Sequence, residues 1–376
     1  MTFMPIKQLP GLNALRFLAA LSVLIGHVEL VKLFLGYTSH YELFERLNLG
    51  GLGVYFFFVL SGFLITHLLI LEKEQFNFIH LKNFYIRRIL RIWPLYFVLL
   101  ITGFFILPQF DFFILFKRSF HENFYSNLFL YVLMLPNLAF TLFNPVPHIG
   151  QLWSIGVEEQ FYLIWPLLIS RAKNLFRLVL YLLCGYILFK IFLALLPNLI
   201  QMPNYMKSVS RFFAMAKFEC MLIGALGAVL LHERSRILDL VYSRYVFFMA
   251  VIASFCLFYL IGNEGLIQDG LHIVISLFFL IIIMNVSAEK VDFLRLNNSV
   301  LDYLGKISYG IYMYHLIVVF CSVKLFLDKS DSFYSLNNLM VYLSSFFVSI
   351  MLASLSYHLF ENRFIKLKRK FGSLTS

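Results

Sequence analysis

Eleven apolar runs alternate with short polar segments along this chain. Each is close to the roughly 17–25 residues that an α-helix needs to cross a bilayer. The runs cover residues 13–34, 51–71, 93–109, 124–143, 157–171, 175–195, 212–231, 244–262, 270–287, 308–327 and 337–360. This pattern predicts an all-α polytopic membrane bundle with no internal repeat.

The distribution of lysine and arginine predicts the orientation, because basic residues collect in cytoplasmic loops. Lys7 favours a cytoplasmic N-terminus, and the basic tail around Lys366 favours a cytoplasmic C-terminus. The basic segment 72–92 then lies inside, and we expect an amphipathic surface helix there. Counting the spans forwards from the N-terminus and backwards from the C-terminus gives the same orientation only if one later run does not cross the membrane. Pro136 divides 124–143, which we predict to be re-entrant or interfacial, leaving about ten transmembrane helices.

The composition fits this interpretation. Of 376 residues, 61% are hydrophobic and 14% are charged, and the mean hydropathy is +0.82; a soluble domain would carry far more polar surface. We attribute the net charge of +11 to topology and lipid contact rather than to nucleic acid. Four widely spaced cysteines predict no disulfide framework. We expect one domain over residues 1–376, without an appended soluble domain, in the bacterial inner membrane.

Two polar side chains stand out in the first run, Arg16 and His27. Eleven positions are close to three helical turns, so both point the same way, about 16 Å apart along one face. An arginine inside a lipid span usually faces a bundle interior or a wet cavity and carries function. The alternative is that Arg16 snorkels to the surface and His27 is a satisfied interhelical histidine.

A second cationic group lies in the segment FYIRRILRIWPLY. Arg87, Arg88 and Arg91 fall on adjacent helical turns and make one face. Guanidinium groups grip phosphates bidentately, which suggests a phosphate-bearing cytosolic ligand. Juxtamembrane arginines are more often topology signals or contacts to anionic lipids, so that interpretation stays open.

Polar residues at four-residue spacing mark the run that begins near 152. Ser154, Glu158 and Tyr162 form a stripe, although Ser154 and Glu158 also suit the start of a helix. Elsewhere, Lys217 and Glu219 are expected to neutralise one another. His315 shares a helical face with Tyr312 and is by default a packing residue.

Several motifs in this order resemble the integral-membrane acyltransferase-3 family, bacterial enzymes that O-acylate cell-surface glycans. The matching segments are LPGLNALRFLAALSVLIGH with Arg16 and His27, GLGVYFFFVLSGFLIT, FYIRRILRIWPLY with Arg88 and Arg91, LWSIGVEEQFY with Glu158, KFECMLIGAL, ISYGIYMYH and YHLFENRF. The chain departs from the family pattern at Tyr55, Ile155, Lys217, Glu219 and Arg363.

The resemblance implies an acyl-CoA donor, usually acetyl-CoA, that enters from the cytoplasm, and a glycan or lipid-linked oligosaccharide acceptor, with no metal. His27 would be the general base, Glu158 would orient the imidazole, and Arg16 would stabilise phosphate or oxyanion charge. Candidate donor-binding residues are Arg16, Arg87, Arg88 and Arg91. Candidate acceptor-binding residues are His148, Trp153, Ser154, Tyr162 and Glu219.

Two other classes of function compete with this one. A glycan exporter or flippase would also have about ten spans and a polar interior, but transporters often carry inverted repeats and broken helices. A receptor or scaffold would not require Arg16, His27 and Glu158 together in the membrane. Surface lipopolysaccharide, capsule and exopolysaccharide are all acceptor candidates.

Overall fold

The computed structural model describes residues 9–40, 49–115, 121–199, 203–260, 266–327 and 334–371. Regular structure in these residues is helical, and none of them lies in a strand. The α-helices are α1 Leu12–Phe34, α2 Leu49–Phe76, α3 Leu81–Ile101, α4 Phe124–Val132, α5 Pro136–Leu142, α6 Leu152–Arg171, α7 Leu175–Leu199, α8 Asn204–Met215, α9 Phe218–His232, α10 Ile237–Val241, α11 Arg244–Leu260, α12 Leu266–Ser287, α13 Ser299–Phe326, α14 Tyr334–Ser356 and α15 Asn362–Lys368.

Among the described residues, eight helical segments are long and apolar enough to cross a membrane. They are Leu12–Phe34, Leu49–Phe76, Leu81–Gln109, Leu175–Pro197, Asn204–His232, Gly270–Ser287, Ser299–Phe326 and Ser335–Lys368. The other two of the ten predicted spans are α6, with 20 residues and two adjacent glutamates, and α11, with 17 residues. The prediction of a polytopic helical bundle is confirmed.

The run 124–143 is broken, as Pro136 predicts. It forms α4 with nine residues and α5 with seven, and Pro136 opens the second helix. At a rise of about 1.5 Å per residue, neither helix is long enough to cross a bilayer.

The predicted surface helix at 72–92 is wrong. Residues up to Phe76 complete α2, and α3 begins at Leu81. Asn77, with φ of 60°, follows the last residue of α2; asparagine tolerates the left-handed conformation that commonly ends a helix. The chain therefore folds back there, and the three arginines belong to the start of a spanning helix.

The centre of the bundle is α2, which packs closely along α9 and against α1, while α1 also packs along α13. Glycine permits the α2–α9 contact: a Cβ on Gly62 would lie 1.9 Å from the Met221 carbonyl oxygen, and one on Gly224 would lie 2.0 Å from that of Val59. Small residues let membrane helices approach to backbone contact. This packing places the polar faces of α1, α2 and α13 toward one another.

Candidate active site

A cavity lies between α1, α2, α3, α6 and α13, and we name it the central cavity. Its volume is about 100 Å³. Its polar lining residues are Arg16, Ser61, Arg88, Arg91, Ser154, Glu158, Tyr162, Ser308, Tyr309 and Tyr312. The predicted stripe on α6 thus faces a cavity, and both Arg16 and Glu158 contribute to it.

Glu158 is held by two neutral donors. Ser61 Oγ donates to its Oε1 at 2.8 Å, and the Tyr162 hydroxyl donates to its Oε2 at 3.2 Å. On the same stripe, Ser154 Oγ lies 2.6 Å from the hydroxyl of Tyr312, which donates to the Gln151 carbonyl. The side chains of α2, α6 and α13 are therefore fixed to one another around the cavity.

The arginines divide into two groups. Arg88 and Arg91 line the central cavity, and no described residue forms a hydrogen bond with the buried Nε of Arg88. Arg87 does not line it: its guanidinium lies 3.1 Å from Glu72 Oε2 and donates to the Phe371 carbonyl at 2.8 Å. The three arginines therefore do not act as one free cationic face.

A second, larger cavity adjoins the first, and we name it the cationic cavity. Its volume is about 320 Å³, and it shares four lining residues with the central cavity: Arg16, Arg88, Arg91 and Tyr309. Lys306 and Lys368 add two more positive charges, whereas Glu361 is the one carboxylate that the described part of the chain contributes to this lining. The two cavities thus meet at the arginines, and the central cavity adds Glu158 and neutral side chains where the cationic cavity adds lysines.

His27 has a defined tautomer. Its Nδ1 lies 2.8 Å from the Val23 carbonyl oxygen; because a carbonyl only accepts, Nδ1 carries the proton and Nε2 keeps the free lone pair. The ring lies at the crossing of α1 and α2, where a Cβ on Gly26 would approach the Gly50 nitrogen to 2.7 Å. The backbone carbonyl, and not the expected Glu158, orients this imidazole.

The ring of His27 packs edge-to-face against that of His315, with ring centroids 4.9 Å apart. His315 Nδ1 donates to the Tyr312 carbonyl, and within the described residues its buried Nε2 has no hydrogen-bond partner. His27 itself does not line the central cavity, but His315 lies one turn beyond Tyr312, which does. The two imidazoles therefore adjoin the end of the cavity that is remote from the cationic lining.

Residues 9–358 match the family model described as an acyltransferase domain, Acyl_transf_3. The chain belongs to this family. A Staphylococcus aureus (strain COL) protein named "Putative O-acetyltransferase" is 28% identical over an alignment of 377 residues with gaps. The alignment covers 96% of this chain and 58% of that protein. The "O-acetyltransferase OatA" of S. aureus (strain NCTC 8325) is 26% identical over 369 residues, covering 94% of this chain and 57% of that protein.

A third relative is the "Peptidoglycan O-acetyltransferase OatA" of Listeria monocytogenes, 31% identical over 172 residues, or 43% of this chain and 24% of that protein. The chain therefore spans less than two thirds of the length of these curated relatives. No solved structure matches the chain. The resemblance to the acyltransferase-3 family is confirmed.

Three of the acceptor-binding candidates lie outside the lining of the central cavity. His148 is buried, donates from Nε2 to the Phe113 carbonyl at 2.8 Å, and packs against Phe320; burial lowers the pKa of this loop histidine. Trp153 packs edge-on against Phe58. Glu219 is completely buried and pairs with Lys190 at 2.8 Å, so its charge is met within the bundle.

Several residues of this candidate site were not among the predicted ones. Ser61, Ser308, Tyr309 and Tyr312 line the central cavity, and all four fall in segments that carry the family resemblance. The periodic polar positions of ISYGIYMYH, which place Tyr312 and His315 on one face, were the available signal. Nothing in the sequence indicated that Lys306 lines a cavity. Lys368 belongs to the basic tail, which is typical of a topology signal and so did not indicate a site.

Proposed function

We propose that this protein is a membrane O-acyltransferase that moves an acyl group, most simply acetyl, from acyl-CoA to a hydroxyl of a cell-surface glycan. One observation carries the proposal: two cavities share Arg16, Arg88 and Arg91, and the central one is also lined by Tyr312, which precedes His315 by one helical turn. A long, thin donor with phosphates at one end and a thioester at the other fits this polarity.

The cationic cavity would hold the nucleotide part of the donor. Among the described residues, one carboxylate, Glu361, lines this cavity together with five basic residues: Arg16, Arg88, Arg91, Lys306 and Lys368. Guanidinium groups bind phosphate bidentately, and charge-assisted hydrogen bonds are the stronger class. Since Arg16 is about 16 Å from His27 along one helix, we assign it to the donor and not to the oxyanion.

The pantetheine arm would pass the shared residues and enter the central cavity. Glu158, with Ser61 and Tyr162 as its donors, offsets part of the arginine charge in this region. The thioester would then reach the end formed by Tyr312, one turn from His315. The acceptor hydroxyl would approach from the other side of the imidazoles.

The chemistry proposed is direct transfer with a general base. The acceptor oxygen attacks the thioester carbonyl carbon, a C–O bond forms, and the C–S bond breaks. His27 Nε2 accepts the hydroxyl proton and then protonates the leaving thiolate, which gives free CoA. The ring of His315 lies edge-to-face with that of His27, and its buried Nε2, which lacks a hydrogen-bond partner among the described residues, would offer a lone pair near the imidazolium.

The acceptor is proposed at the level of a cell-surface glycan. The Listeria relative is named for peptidoglycan, which makes peptidoglycan the first acceptor to assay, ahead of lipopolysaccharide O-antigen and capsular or exopolysaccharide. The apolar helices and the family support a multi-pass location in the cytoplasmic membrane. Mass spectrometry of surface glycans from a deletion strain identifies the acceptor by the acyl groups that disappear.

The test is turnover by detergent-purified protein, followed as free thiol released from acetyl-CoA in the presence of glycan acceptor. His27→Ala should reduce the rate roughly 10²–10⁴-fold, the range of general-base catalysis, while CoA binding is retained. The exposed histidine His40, whose side chain has no role in the cavities, gives the control variant His40→Ala with unchanged rate. Unchanged turnover in His27→Ala would refute the assignment.

A further inference from the structure

The C-terminal segment forms one wall of the cationic cavity. After α14 the helix continues through one π-turn, Tyr357–Glu361, and then through α15. Tyr357, Glu361, Ile365 and Lys368 all line the cavity. Their spacing of four, four and three residues puts them on one helical face, and π-turns inside helices occur frequently at functional sites.

This wall is attached to the rest of the site. The segment packs along α3, and Arg87 Nη1 donates to the carbonyl of Phe371 at 2.8 Å, while its other terminal nitrogen meets Glu72. Ser356 Oγ donates to Glu361 Oε1 at 2.8 Å across the π-turn. Arg87 thus connects the tail to the helix that carries Arg88 and Arg91.

Lys368 is brought into a group of like charges. Its ammonium interacts electrostatically with four arginines: Arg91, Arg88, Arg87 and Arg16. Bringing like charges together away from bulk water is unfavourable, and among the described residues Glu361 is the single carboxylate of the cavity lining. A cavity that assembles this excess of positive charge from α1, α3, α13 and the tail is suited to a polyanion.

We propose that the tail is part of the donor site, and that Lys368 binds a phosphate of the nucleotide portion of the acyl-CoA donor. The inference rests on the proposed function and deepens it. The role is in binding alone: Lys368 adds affinity for the phosphorylated end and takes no part in proton transfer. The tail lysine would thereby favour a phosphorylated nucleotide thioester over an acyl donor without such phosphates.

The chain supplies a matched control two residues away. Lys366 is exposed and is absent from the cavity lining. Lys368→Met and Lys366→Met both keep an aliphatic stem and remove one positive charge. They differ in whether that charge faced the cavity, so a general effect of net charge would appear in both.

The experiment is calorimetric titration of the detergent-purified full chain with CoA, together with thermal unfolding of each variant without ligand. Lys368→Met should bind CoA roughly tenfold or more weakly, as expected for loss of one charge-assisted hydrogen bond. Its melting temperature without ligand should equal or exceed that of wild type, because repulsion is relieved. Lys366→Met should match wild type in both measurements, and Lys368→Arg should recover most of the affinity.

A purely structural lysine would give the opposite pattern, with a lower melting temperature and unaltered CoA affinity in Lys368→Met. That result, or equal affinities in Lys368→Met and wild type, would overturn the inference and leave the proposed function standing. Failure of the wild-type protein itself to bind CoA would remove the proposed function.

Discussion

His27 owes its chemistry to a contact with its own helix. The Val23 carbonyl fixes the proton on Nδ1 and leaves the Nε2 lone pair for the proposed role as base. The sequence predicted that Arg16 and His27 share a face, because helical periodicity determines this from spacing alone. It did not predict the partner, since the contact with His315 depends on how α1 and α13 pack. The expected carboxylate partner, Glu158, instead binds Ser61 and Tyr162.

His315→Phe tests the proposed imidazole pair. Phenylalanine fills a similar volume and removes Nε2, so the imidazolium of His27 loses its neighbouring acceptor. We expect acyl transfer to fall roughly 10–100-fold, the effect of one hydrogen bond to a charged group, with CoA affinity retained. Steady-state kinetics should show the loss in kcat and not in KM for the donor. Wild-type kcat in this variant would mean that His315 is a packing residue.

At the scale of elements, composition predicted the spans more reliably than it predicted their connections. The run 124–143 was correctly predicted to be interrupted, because Pro136 lacks the amide hydrogen that a continuing helix needs. The prediction of a surface helix at 72–92 was wrong, because its basic residues resemble those of an interfacial helix whereas Asn77 ends α2. The turn after α2 lets α3 begin at Leu81, and this places Arg88 and Arg91 on the cavity.

Gly224→Ala tests the contact between α2 and α9. The added Cβ would lie 2.0 Å from the Val59 carbonyl oxygen, so the helices must separate. Overpacking of this kind costs about 1–3 kcal/mol, and we expect it to outweigh the roughly 1 kcal/mol by which Ala is favoured over Gly in a helix.

The measurement is thermal unfolding in detergent. Gly185→Ala is the control, because a Cβ at Gly185 meets nothing within 4 Å and should leave stability equal or slightly higher. Equal melting temperatures for Gly224→Ala and wild type would show that the two helices do not depend on this close approach.

At the scale of the whole molecule, the site forms where residues from distant parts of the chain meet. Arg16, Arg88 and Glu158 were all found from sequence, because charged residues in apolar segments are conspicuous. That the C-terminal tail returns to the same cavity could not be predicted, since basic tails are common in membrane proteins for topological reasons. The orientation of the bundle, with both termini cytoplasmic, stays a prediction.

The central claim is that the donor is bound at the arginine end and transformed at the imidazole end. The most direct measurement is calorimetric titration with CoA of the double variant Arg88→Ala/Arg91→Ala beside His27→Ala. We predict that the double variant loses CoA binding by 100-fold or more, about two charge-assisted contacts, whereas His27→Ala binds CoA as wild type does. Wild-type affinity in the double variant, or loss of affinity in His27→Ala alone, would contradict the account.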